Sequence, residues 1–147
     1  MTLGLNSLLL RSQGRLILIE TGAGDKPNTA RQQSTPVEQG TLLSDLKALG
    51  VTPEEIEIVI NTHLHSDHCG WNSRYVDGKL VPSFSNAEYL MMGGEWDAFW
   101  HPNERTRATY LVENLEPLQD MDPGSPTHGE FYGTFDLSVF GGDDIFA

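Results

Sequence analysis

The spacing of apolar positions changes along the chain, and each change marks an element. Leu5 to Arg11 and Arg15 to Glu20 are apolar stretches on either side of Ser12-Gln13-Gly14, a turn-forming link, and together they predict a β-hairpin. The second run is apolar at consecutive positions, which predicts burial on both faces. Thr21-Gly22-Ala23-Gly24-Asp25 breaks that strand, and Lys26 to Ser34 reads as polar loop. Thr35-Pro36-Val37-Glu38 has the form of a capping box with proline in the first turn. Leu42, Leu43, Leu46 and Leu49 follow at helical spacing as far as Gly50, so this stretch is read as a helix. Thr52-Pro53-Glu54-Glu55 repeats the start signal on a smaller scale, and Ile56, Ile58, Val59 and Ile60 then predict a short buried strand.

Strand, helix and strand in that order form a βαβ unit, which places the chain in the α/β class. Further on, Tyr75 to Val81 predicts a hairpin around Asp77-Gly78, and Ala87 to Met92 another strand. Glu95 to Trp100 and Glu104 to Leu115 are read as helices, the first with Trp96, Phe99 and Trp100 on a core or lid face. Only Phe135 to Phe140 has a strand pattern in the last stretch.

Composition narrows the function classes. The chain has 147 residues, 21 acidic against 9 basic, and a formal charge of −12, which disfavours nucleic acid and anionic membrane as partners. From Ala108 to Ala147 there are eight acidic residues and no Lys or Arg, so residues 120–147 read as a divergent acidic tail behind a domain at 1–119. The longest apolar runs fall far short of the ~20 residues of a membrane helix. No signal-peptide pattern opens the sequence, and Cys69 is its one cysteine; a cytoplasmic location is expected.

Candidate chemistry concentrates directly after the Ile56 to Ile60 strand, in Asn61-Thr62-His63-Leu64-His65-Ser66-Asp67-His68-Cys69-Gly70-Trp71-Asn72. Neutral imidazole and carboxylate are the ligands that divalent zinc prefers, and catalytic sites keep one position open. His63 and His65, two apart at a strand end, can project to one side and grip one ion. Asp67 and His68, where the chain must turn, can face a second. A hydroxide held between two such ions could attack a carbonyl or phosphoryl centre. Burial is the reading for Cys69, solvation for Arg105 and Arg107, and a surface or capping role for His101.

The run His63-Leu64-His65-Ser66-Asp67-His68 resembles the signature of the metallo-β-lactamase fold superfamily. Thr62 through Asn72, Leu5 to Leu9, Leu18 to Asp25 and Asn103 to Tyr110 look most like its lactonase-like hydrolases, so that the resemblance covers about residues 3 to 119. The resemblance implies an αββα sandwich, of which this chain carries the N-terminal half in apparently truncated form. It also implies zinc, one or two ions, with iron or manganese as alternatives. His63 and His65 would bind the first metal and Asp67 and His68 the second, with Asp67 also the catalytic group that orients or deprotonates the hydroxide. The implied substrate is a small ester or lactone. Complete members add a later histidine, a bridging aspartate and a last histidine; here His128 is the candidate for a later ligand, with a loop histidine as the alternative, and Asp143 or Asp144 could stand for the bridging acid, though acids in such a tail are more often solvated.

Two other readings follow from that shorter ligand set and from the breadth of the superfamily. One is a non-catalytic fragment that binds metal weakly or not at all. The other is an iron-dependent redox or sulfur-oxidising member of the same fold. An open sheet edge is compatible with a homo-oligomer.

Overall fold

The computed structural model describes residues 6–26 and 41–119. Strands β1 (Leu8–Ser12) and β2 (Arg15–Ile19) form the antiparallel hairpin that the pattern predicts. Gln13 and Gly14 both take positive φ, 50° and 85°, the paired left-handed geometry whose twist matches that of the flanking strands. In β2 Leu16 and Leu18 are buried while Ile17 and Ile19 are half-buried, so burial is stronger on one face than the consecutive apolar run implied.

Helix α1 (Leu42–Ala48) lies between β2 and β3 (Ile58–Ile60), and β3 pairs parallel to β2, as a βαβ crossover requires. Leu46 packs into the core, but Leu49 lies beyond the helix end and is 70% exposed, contrary to its place in the leucine series. The capping box at Thr35 falls outside the described residues. Thr52 and Glu55 do form one: the Glu55 carboxylate accepts the Thr52 N–H at 2.7 Å, closing a short turn at Pro53–Glu55.

The hairpin of β4 (Ser73–Val76) and β5 (Lys79–Pro82) turns at Asp77-Gly78, again with both φ positive. Strand β6 (Glu88–Leu90) pairs parallel to β3, giving a four-stranded sheet in the order β1-β2-β3-β6 beside the two-stranded β4–β5 sheet. Helix α2 (Gly93–Trp100) follows, with Phe99 buried and Trp96 and Trp100 packed against the core. The architecture is mixed α/β. Its core joins Leu16, Leu18, Leu46, Val59, Leu64, Phe84, Tyr89, Phe99 and Leu115, and each such side chain contributes roughly 1.5–3 kcal/mol by burial.

Among the described residues one predicted element is absent, and the strand pattern at Phe135 to Phe140 lies outside them. In place of a helix over Glu104 to Leu115 there are two single 3-10 turns, at Arg107–Thr109 and Val112–Asn114, and a third follows at Glu116–Leu118. Side chains here satisfy the backbone locally and displace the helical ladder. The Asn103 carbonyl oxygen of the side chain accepts the Arg105 and Thr106 amides, and the Thr109 hydroxyl donates to the Thr106 carbonyl at 2.6 Å. Tyr110 is then extended, with φ −100° and ψ 141°.

Candidate metal centre

Parallel pairing of β2 and β3 aligns Ile19 with Ile60, so both strands end at the same place and their outgoing loops run side by side. That end of an α/β sheet is where ligands commonly bind. The Glu20 amide donates to the Ile60 carbonyl at 2.9 Å and the Thr21 amide to the His68 carbonyl at 2.7 Å, stitching the Glu20 loop to the histidine loop. Gly70 and Gly24 allow this approach. A Cβ on Gly70 would overlap the Ala23 carbonyl, and one on Gly24 would lie 2.5 Å from the Gly70 oxygen. Lys26 closes the far end, its buried ammonium donating to the carbonyls of Gly70 at 2.5 Å and Ser73 at 2.6 Å. Burial pushes its pKa down to about 8.

Within this frame three imidazoles converge. The His63 ring lies 4.7 Å from that of His65 and 3.9 Å from that of His68, centroid to centroid. Asp67 Oδ2 lies 3.9 Å from His68 Nε2. All four residues singled out in the sequence are therefore neighbours and half-buried. His65 also meets the Tyr110 ring edge-on at 5.6 Å, and burial raises the Tyr110 pKa.

A fifth residue, Glu20, escaped the sequence reading. Its Oε1 accepts the Thr62 amide at 2.8 Å and the Thr62 hydroxyl at 2.5 Å, and its Oε2 is buried, makes no hydrogen bond, and lies 3.3 Å from His68 Nδ1. Having given its proton to Glu20, the Thr62 oxygen can only accept from His63 Nδ1, 3.1 Å away. This places the His63 proton on Nδ1 and leaves the Nε2 lone pair available. Burial foremost, then the neighbouring His68 and His65, holds the His63 pKa below its ordinary value, which also favours the neutral, ligating ring. The one available signal was an acid at the end of a buried strand, just before a glycine loop.

Glu20, His63 and His68 each bring a donor atom to within 4.8 Å of the others. A buried carboxylate oxygen without a hydrogen bond, beside two imidazoles of which His63 favours the neutral form, is a donor set that a divalent cation completes, so these residues fit a metal. Beneath the cluster, Thr21, Asn72 and Asn61 are linked by hydrogen bonds of 2.9 and 2.7 Å, and Asn61 donates to the His68 carbonyl at 3.3 Å. Cys69 is buried and donates to the Leu64 carbonyl; burial raises its pKa to about 12, so it is a packed thiol. His101, Arg105 and Arg107 are exposed, as the sequence reading has them. His128, Asp143 and Asp144 lie outside the described residues.

A family model described as the metallo-beta-lactamase superfamily matches residues 2–137. Among curated relatives, an N-acyl homoserine lactonase of Bacillus cereus is 28% identical over 120 residues, covering 74% of this chain and 42% of that protein. Among solved structures, a probable metal-dependent hydrolase from Staphylococcus aureus superposes with a TM-score of 0.64 at 26% identity, covering 74% of this chain and 39% of the other. The hydrolase AbOPH, of the beta lactamase superfamily, gives 0.53 at 30% identity, over 94% of this chain and 43% of the other. AidC, a dizinc quorum-quenching lactonase, shares the fold, with a TM-score of 0.52 at 21% identity over 89% of this chain and 42% of that one. The chain thus spans about two fifths of the length of these proteins. Among the described residues, no helix is long and apolar enough to cross a membrane.

Proposed function

Because the chain belongs to the metallo-beta-lactamase superfamily, we propose that it is a zinc-dependent hydrolase whose substrate is a lactone or related small ester. The observation that carries this reading is the convergence of His63, His65 and His68 with the carboxylates of Asp67 and Glu20 at the shared end of β2 and β3. In it, His63 and His65 hold a first zinc, and Asp67 with His68 a second. The N-acyl homoserine lactonase relative supports the substrate class.

Bound zinc would supply Lewis acidity, polarising an acyl oxygen and bringing water to nucleophilic strength near neutral pH. The protein's own groups do the rest. Asp67, whose Oδ2 lies 3.9 Å from His68 Nε2, would take a proton from attacking water. Glu20 fixes the orientation of His63 through Thr62 and brings its second carboxylate oxygen beside His68. Tyr110 walls the His65 side. The buried thiol of Cys69 suits a reducing, cytoplasmic setting.

The test is zinc-dependent opening of N-acyl homoserine lactone by the chelator-stripped, zinc-reloaded chain, followed as acid release, in wild type and Asp67→Ala. Turnover that Asp67→Ala abolishes is the expected result. A second reading, a metal-binding chain that does not turn over by itself, is favoured by coverage of 42% of the lactonase relative. Zinc retained without acid release would select it over the first.

A further inference from the structure

Four alternate amides along the histidine loop have defined acceptors. Thr62 N–H goes to Glu20, Leu64 N–H to Glu95 Oε2 at 3.2 Å, Ser66 N–H to the Thr109 carbonyl at 2.8 Å, and His68 N–H to the His65 carbonyl at 2.9 Å. The Leu64 amide is the one that sits between His63 and His65, and its acceptor is a side chain from α2. From this geometry we infer that Glu95 is a positioning residue for the His63–His65 pair, acting through the Leu64 amide, and that α2 is the clamp that holds the pair at ligating distance. The inference rests on the metal-site reading above.

Two observations support it. The Leu64 side chain is fully buried in the core, which anchors the backbone between His63 and His65. Phe99 follows Glu95 by four residues and so shares its helix face. Its ring packs 5.1 Å from Tyr110, whose ring in turn lies 5.6 Å from His65, so α2 reaches the pair by a second route.

Charge and position can be separated by two conservative variants. Glu95→Gln keeps the length and an acceptor oxygen for Leu64 but loses the charge; Glu95→Asp keeps the charge but is one methylene too short. The full chain, stripped of metal, is titrated with cobalt(II), reading affinity and the visible d–d bands, which report ligand geometry. A positioning role predicts that Glu95→Gln keeps the wild-type band shape with affinity within about threefold, whereas Glu95→Asp loses ~10-fold or more and shows altered bands. The reverse order, with Glu95→Asp like wild type and Glu95→Gln impaired, assigns the effect to charge and overturns the inference. Wild-type binding in both variants overturns it as well and leaves the metal reading standing. Failure of the wild-type chain to bind cobalt overturns both together.

Discussion

Glu20 Oε2 stands 3.3 Å from His68 Nδ1, while the other oxygen of the same carboxylate holds both donors of Thr62. One acid from the end of β2 therefore governs both ends of the histidine motif. Glu20 holds this place with φ at +62°, a left-handed conformation that costs a non-glycine residue about 1 kcal/mol or more. Strain of this kind persists where the surroundings over-determine it, here through Thr62 and the Ile60 carbonyl.

Glu20→Gln keeps an acceptor for Thr62 and removes the charge beside His68. Zinc affinity, measured by competition with a chromophoric chelator, should fall about 10–100-fold, with little change in the stability of the metal-free chain. Unchanged affinity would remove Glu20 from the metal centre.

The hydroxyl of Thr62 sets the His63 tautomer, so Thr62→Val should leave the His63 proton distributed over both ring nitrogens, and Thr62→Ser should restore it to Nδ1. Nitrogen-15 NMR of the imidazoles in the metal-free chain reads this directly. A wild-type His63 pattern in Thr62→Val would contradict the relay from Glu20 through Thr62.

Gly70→Ala should destabilise the chain by about 2 kcal/mol or more, because its Cβ would overlap the Ala23 carbonyl and push the two loops apart. Gly93→Ala is the control. Nothing lies within 4 Å of a Cβ there, so its effect should stay within about 0.5 kcal/mol. Thermal denaturation of both variants makes the comparison.

The β-hairpins and the βαβ order were legible because their signals are local: paired residues with positive φ at Gln13-Gly14 and Asp77-Gly78, and apolar runs bounded by breakers. The motif His63 to His68 was legible for the same reason. Glu20 was not, since its role depends on β2 and β3 pairing in register over 40 residues of intervening sequence, which no local pattern encodes. Glu95 shows the same limit, reaching Leu64 from a separate helix. The helix expected at 104–115 failed for the opposite reason: its apolar spacing suits a helix, but Asn103, Thr106 and Thr109 capture the backbone locally.

Stability should rise with pH on the alkaline side through Lys26. Its pKa is about 8 in the folded chain and 10.5 as a free side chain, so the unfolded state binds this proton more tightly. The contribution is complete above about 10.5 and is lost as pH falls through 8, which leaves the full cost of the buried ammonium at pH 7. Between pH 7 and about 9.5, wild type should gain about 2 kcal/mol relative to Lys26→Met. Denaturant titrations at the two pH values test this; parallel pH dependence in the two proteins would contradict it.

Whether the histidines and carboxylates at the shared end of β2 and β3 form a divalent-cation site is decided by the zinc content of the chelator-stripped, reloaded and desalted chain, read by elemental analysis. Wild type should hold one or two zinc ions per chain, and the double variant His63→Ala, His65→Ala should lose at least one. A wild-type chain that retains no zinc, or a double variant that retains as much as wild type, would contradict it.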